Sequence, residues 1–212
     1  MAATGRRERT KVANRAAILA AGRDVFAEHG YDAVGVRDIV RRTELASGTF
    51  YNYFPDKASV FRAIVEETGA EARRRVREAR RSAIGPEAFL EGGFRALFEF
   101  IAADPGTFAF LRRNLGTIRE RFGDAVRPAG LGELEADLRE AIERGDLPGV
   151  DVPYLAHAML AVGLELGQEL AERSPPDVEG ATRFATALFS GGVGELARRY
   201  AAPSCAPASP SS

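Results

Sequence analysis

Ser47, Gly48, Thr49, Tyr51, Asn52 and Tyr53 crowd hydroxyl, amide and bare backbone groups into seven residues, interleaved with Phe50 and Phe54. No strong base stands among them, so their chemistry is non-covalent. Hydroxyls and amides meet base edges or phosphate oxygens, and a glycine lets backbone approach the edge of a groove. Thr49, with a hydroxyl and a methyl, is the expected base reader. Ser47, Gly48 and Asn52 share its exposed side, while the hydroxyls of Tyr51 and Tyr53 suit phosphate oxygens. Arg37 and Arg42 lie just upstream as cations for backbone or bases, and Lys57 is a point charge at the start of the next helix.

Two short helices must position these groups. Val36, Ile39 and Val40 recur at helical spacing and give the first helix one apolar face, with Arg37, Arg41 and Arg42 off that face. Thr43-Glu44 breaks the pattern, and Leu45 is the plug between two steeply crossing helices. Residues 46–54 form the second helix, packed through Phe50 and Phe54, four apart. That is the layout of a helix-turn-helix DNA reader.

Charge is distributed to match. Net charge is −1 overall, but residues 1–63 hold 11 Lys/Arg against 7 Asp/Glu and residues 64–212 hold 18 against 23. A basic head on an acidic body directs the phosphate backbone to the N-terminal unit. No apolar run reaches membrane-helix length, and no apolar stretch at the N-terminus resembles a signal peptide, so a cytoplasmic location and no membrane partner are expected. Cys205 is the single cysteine. Together with two histidines it offers neither a disulfide nor a metal cluster, and no cofactor is expected. Nor is there a carboxylate pair with positional logic or a phosphate loop, which argues against an enzyme.

Punctuation divides the chain into a basic irregular arm (1–10), a helix-turn-helix domain (11–56), a helical body (57–200) and a Pro/Ser/Ala-rich disordered tail (201–212). With no strand alternation anywhere, the fold class is all-α, with about nine or ten helices. Gly30 stops the first helix, and Gly35 stands where a capping Ser or Thr would be the better residue. Arg73, Arg74, Arg75, Arg77, Arg80 and Arg81 read as a solvated cationic face.

In the body, Phe94, Leu97, Phe98, Ile101, Phe108, Leu111, Ile118 and Phe122 exceed what a tight core of short helices demands. Together they suggest a cavity for an acyl chain or an aromatic compound. Leu164 and Glu165 are further candidates for its lining, and Arg112, Arg113 or Asn114 for an anionic head group. Leu160, Gly163 and Gly167, then Leu188, Phe189 and Gly192, put small residues beside large ones on the last two helices. Glycine inside a helix costs up to about 1 kcal/mol, so several imply close helix contact, best explained by a homodimeric four-helix interface.

With these parts in order, the chain resembles the TetR family of bacterial one-component regulators. The resemblance spans about residues 15–64, through F-A-E-H-G-Y, V-R-D-I and G-T-F-Y-N-Y-F-P-D-K. It implies three DNA-binding helices, a fourth linking them to a ligand domain, and a last pair that dimerises. It implies a ligand-responsive repressor on a pseudo-palindromic operator. Two residues depart from the pattern. Glu44 stands where the family usually has glycine, a site where positive φ would cost about 1 kcal/mol, and Ala46 replaces the usual capping serine. Residues 89–122 and 160–173 resemble the family's fatty-acid-responsive branch, which senses acyl-CoA or acyl carrier. A regulator of efflux or catabolism responding to an aromatic or xenobiotic compound is the alternative.

Overall fold

The computed structural model of the chain describes residues 2–122 and 129–200, which form ten α-helices and no strand. The expected tail and the side chain of Phe122 lie outside the described residues. The helices are α1 (Ala2–His29), α2 (Val36–Arg41), α3 (Ser47–Tyr51), α4 (Lys57–Arg81) and α5 (Pro86–Ala103). They continue as α6 (Pro105–Arg113), α7 (Leu115–Phe122), α8 (Ala129–Glu143), α9 (Val152–Glu172) and α10 (Val178–Tyr200). No helix among the described residues is long and apolar enough to cross a membrane.

Residues 2–10, expected as an irregular arm, continue α1. Apolar periodicity reports a face to bury, whereas an exposed helix needs only propensity, which the exposed Arg7, Glu8 and Arg9 supply. Gly30 ends α1 at φ +79°, donating its N–H to the Phe26 carbonyl at 3.0 Å. Asp-Pro pairs and lone carboxylates start the later helices. Asp104 accepts from the Thr107 N–H and Asp151 from the Tyr154 N–H, both at 3.0 Å.

The body core is one cluster: Phe89, Leu90, Phe94, Phe98 and Ile101 of α5 meet Leu134 and Leu138 of α8, Leu155 and Met159 of α9, and Phe189 of α10. Phe94 stacks on Phe98 at 6.0 Å and on Phe189 at 5.5 Å. The second cluster belongs to the head, yet the body completes it. Phe110 of α6 is fully buried between Phe26 and Phe61, with ring centroids 6.3 and 5.3 Å away. A division at residue 56 therefore separates the sequence but not the core.

The arginine run is not merely solvated. Arg73 faces Glu133 at 3.4 Å, Arg77 and Arg80 face Asp137 at 3.6 Å each, and Arg81 faces Glu140 at 3.9 Å, joining α4 to α8. The Asp137 side chain is 3% exposed and that of Arg80 12%, because the α4–α8 crossing covers them. Burial pushes the Asp137 carboxyl up and pulls the Arg80 guanidinium down, each against the pull of its partner. Arg74 and Arg75 of the run pair instead within their own helix, with Glu71.

Truncating Phe110 tests whether α6 completes the head. Phe110→Ala should lower the unfolding free energy by about 3–5 kcal/mol in urea denaturation, as for a fully buried phenylalanine. A loss under about 1 kcal/mol would mean that the head closes without it.

Candidate nucleic-acid interface

The interface is built on α2 and α3, which cross through a turn with no left-handed residue. Among the described residues no non-glycine has positive φ, so the strain expected at Glu44 does not arise. Thr43 closes the turn instead. Its N–H and its hydroxyl both donate to the Val40 carbonyl, at 2.9 and 2.8 Å, and the hydroxyl accepts the Leu45 N–H at 3.2 Å. Glu44 is exposed. A threonine does here what a left-handed glycine would do, by side-chain rather than backbone geometry. At the start of α2, Asp38 reaches back to accept the Gly35 N–H at 2.8 Å, which supplies the half of a capping box that needs no side chain on residue 35.

Ala46 caps α3 in extended geometry (φ −65°, ψ 146°) through its carbonyl alone, which accepts the Thr49 N–H at 2.8 Å. The helix expected to reach Phe54 ends at Tyr51, because Pro55 disfavours helical geometry in the residue before it. Asn52, Tyr53 and Phe54 finish it as a tight turn onto the carbonyls of Thr49 and Phe50. Phe50 is fully buried and Phe54 6% exposed, their centroids 6.3 Å apart, so the two rings fix the helix from beneath.

Outside lie the groups that the sequence assigned to nucleic acid. Ser47, Gly48 and Asn52 are exposed, Tyr51 is 59% exposed, and Thr49 is half-buried at their edge. A Cβ added to Gly48 would meet nothing, so the backbone there is open to approach. Arg37 is exposed as well.

Three expected contacts are already engaged within the chain. Arg42 pairs with Glu28 of α1 and holds that carboxyl below its ordinary range. The half-buried Tyr53 accepts at its hydroxyl from Asn14 Nδ2 at 3.2 Å, which ties the end of the α3 turn to α1. Lys57 departs furthest from expectation. Its ammonium donates to the carbonyls of Tyr31 and Val34 at 2.9 and 2.7 Å and stands 4.4 Å above the Tyr31 ring. It is a clamp on the α1–α2 loop, drawn inward because three donors on one flexible stem satisfy two loop carbonyls at once. Asp56, beside it, caps α4 and is held below the carboxylate range first by the Ser59 N–H and then by the Ser59 hydroxyl.

The residues expected around a ligand separate into three groups. Phe94, Leu97, Phe98, Ile101 and Phe108 pack in the body core, whereas Leu111 and Ile118 pack with the head. Arg112, Arg113, Leu164 and Glu165 are exposed, while Asn114 is buried. The clefts found, of about 470 Å³ between α4 and α5 and about 320 Å³ between α4 and α7, are open and lined by none of these residues. The rings fill the space by stacking on one another, so the surplus of phenylalanine became core.

The dimer set also divides. Gly163, Gly167 and Phe189 face inward: a Cβ on Gly163 would lie 2.9 Å from Leu97 Cδ2, one on Gly167 would strike Ile101, and Phe189 stacks on Phe94. The two glycines are small because α9 crosses α5 closely. Leu188 and Gly192 face outward and Leu160 is half-buried.

Replacing Lys57 tests the clamp. Lys57→Met should cost about 1–3 kcal/mol in thermal or urea unfolding, since two loop carbonyls lose their donor. An unchanged midpoint would return the ammonium to solvent.

Comparison with solved structures gives the same architecture. The fatty acid degradation regulator FadR from Bacillus halodurans superimposes with a TM-score of 0.72 at 23% identity, covering 84% of this chain and 95% of that one. A TetR-like transcriptional regulator from Rhodococcus sp. RHA1 gives 0.69 at 18%, covering 84% and 94%. The TetR family regulator PfmR from Thermus thermophilus gives 0.61 at 20%, covering 79% and 94%. At such identities the likeness is one of fold. The sequence itself carries more: residues 18–64, from the middle of α1 into α4, match the family model of the bacterial regulatory proteins of the tetR family. The chain has a TetR-like fold, and its N-terminal part, which holds the helix-turn-helix of α2 and α3, matches the model of that family.

Proposed function

We propose that the protein is a homodimeric repressor that binds a pseudo-palindromic operator and is released by a small hydrophobic ligand. The observation that carries the reading is the outer edge of α3, where Ser47, Gly48, Tyr51 and Asn52 stand exposed on a helix fixed by two buried rings. Thr49 and Asn52 read bases, Tyr51 and Ser47 meet phosphates, and Arg37 supplies the cation. Arg42, Tyr53 and Lys57 hold the head together and contribute through its shape.

Two heads must be spaced for successive major grooves, about 34–36 Å apart. The outer face of α9 and α10 is suited to that task. Leu164 is 39% exposed, Phe184 60% and Leu188 49%, and Phe184, Leu188 and Gly192 recur at four-residue steps. A second copy of the same hairpin would cover them.

The ligand class rests on lesser support: the likeness of residues 89–122 and 160–173 to fatty-acid-responsive relatives, and the fold shared with a fatty acid degradation regulator. A long-chain acyl-CoA is therefore the first candidate, and its chain would enter by parting the stacked rings of Phe94, Phe98 and Phe189. Those same rings also suit a planar aromatic compound.

Fluorescence anisotropy on the duplex upstream of the protein's own gene tests the reading. The protein should prefer it to random duplex at moderate salt, and equal affinity for both would sink the proposal. Arg37→Ala should reduce the slope of log affinity against log salt by about one, whereas Thr49→Ala should flatten sequence preference and leave the slope alone. Added acyl-CoA should release the duplex; release by an aromatic amphiphile instead would select the alternative ligand class. The paired change Phe184→Glu and Leu188→Glu should give a monomer in sedimentation and lose operator affinity, and a persistent dimer would move the interface elsewhere.

A further inference from the structure

Among the described residues five polar side chains are buried: Thr107, Asn114, Asp137, Thr182 and Thr186. The first three are engaged. The Thr107 hydroxyl donates to Asp104 at 2.7 Å and accepts from Arg23 at 2.9 Å. Asn114 donates from Nδ2 to the carbonyls of Phe26 and Phe110 at 3.1 and 2.8 Å, and accepts the Tyr31 N–H at 2.9 Å. Asp137 faces Arg77 and Arg80. Thr182 and Thr186, 1% and 7% exposed, differ: both hydroxyl oxygens are buried and neither has a hydrogen-bond partner. A helical hydroxyl ordinarily turns back to a carbonyl of the preceding turn, as Ser82 does to Ala79 at 3.0 Å at the end of α4. A buried hydroxyl that forgoes even this carries an uncompensated desolvation cost, and two such groups side by side call for a reason.

The two threonines stand one turn apart on the inner face of α10, a face that packs chiefly on α5. Ala185 beside them and Phe189 one turn on belong to the body core, and Phe189 stacks on Phe94 at 5.5 Å. The hydroxyls therefore border the rings that an apolar ligand would have to part. Neighbours one turn apart on a helix hold their Cβ atoms about 5–6 Å apart. A single oxygen between them can accept from both hydroxyls at about 2.8 Å each. Cations at the margins of this region are committed to carboxylates. Arg95 of α5 donates to Glu91 and Glu179 at 2.9 and 2.8 Å, and Arg80, over the Phe89 ring, faces Asp137. A carboxylate brought to the threonines would be buried without a counter-charge, at a far greater cost than a neutral acceptor.

We propose that Thr182 and Thr186 are the polar anchor of an effector site between α5 and α10, and that the group they receive is uncharged. It is the carbonyl of an ester, thioester or ketone, or an alcohol hydroxyl, carried on an aliphatic chain. This rests on the reading above that a small hydrophobic ligand enters the body, and it narrows that ligand's chemistry. An acyl thioester meets the requirement through its carbonyl, whereas a free fatty acid does not. Specificity follows from the same two groups: a ligand that lacks the polar atom leaves both hydroxyls unpaired and binds only through its apolar part.

Thermal unfolding of the full-length protein with octane, octanol, methyl octanoate or octanoate tests the anchor. Octanol and methyl octanoate should raise the midpoint more than octane does, and octanoate should raise it least. The double change Thr182→Val and Thr186→Val keeps the shape and removes both hydroxyls. It should hold or raise the midpoint of the free protein, since valine has no unpaired hydroxyl to bury. It should also reduce the rise from octanol and the ester to that from octane, and weaken methyl octanoate about tenfold in calorimetric titration. A double variant that keeps the full response to the ester overturns the proposal. So does a lower midpoint for the free variant, which would mean that the hydroxyls are already bonded. Octanoate binding the unaltered protein more tightly than the ester overturns it as well. If none of the four, octane included, binds the unaltered protein, the reading of a hydrophobic effector falls and the anchor falls with it.

Discussion

Phe110 sits where the head would otherwise have a hole. Phe26 and Phe61 flank it, and around them Tyr31 and Phe61 meet edge-on at 4.8 Å and Phe26 and Phe61 edge-on at 5.2 Å. A head whose second and third helices run to only six and five residues buries too little to be rigid alone, since small domains hide a smaller fraction of their surface. Taking one ring from α6 gives the head a defined core. It also makes the head's posture depend on the helix that supplies the ring. Everything the interface presents, from the exposed edge of α3 to the Lys57 clamp, inherits that dependence.

The other connection has a different physical character. Between α4 and α8 the contact is ionic: both Asp137 oxygens and the Nε atoms of Arg77 and Arg80 are buried without a hydrogen-bond partner. Ion pairs held at 3.6 Å recover only part of the cost of taking such charges out of water. That junction is therefore specific in register and modest in stability, whereas the α1–α6 contact is apolar with its central polar group fully bonded.

Much of this was legible in residue order. Helix count, the buried roles of Phe50 and Phe54 and the exposed edge of α3 follow from spacing, because amphipathic period reports directly on burial. What the sequence hid has one cause, that side chains of similar type diverge according to neighbours many residues away. Lys57 reads as a phosphate cation until two loop carbonyls from residues 31 and 34 appear beside it. Gly163 and Gly167 read as dimer contacts until Leu97 and Ile101 occupy the space above them. Thr43 draws no notice, since a hydroxyl that replaces a left-handed glycine has no periodic signature. Asn114 reads as a surface partner for an anion because it follows two arginines that do remain exposed.

That last case bears on how a ligand could act at all. A ligand that binds both states of the body equally shifts nothing, however tightly it binds. Parting the stacked rings of Phe94, Phe98 and Phe189 costs packing, and the cost is smallest in whichever state already leaves α5 looser against α9 and α10. Phe108 of α6 packs into that same core, and Phe110, two residues on, packs into the head's. Nearby residues on one short helix therefore sample the two cores from opposite sides. On the proposed reading, loosening the first core would shift the anchor of the second, and differential affinity at the rings would become a difference in the position of α3.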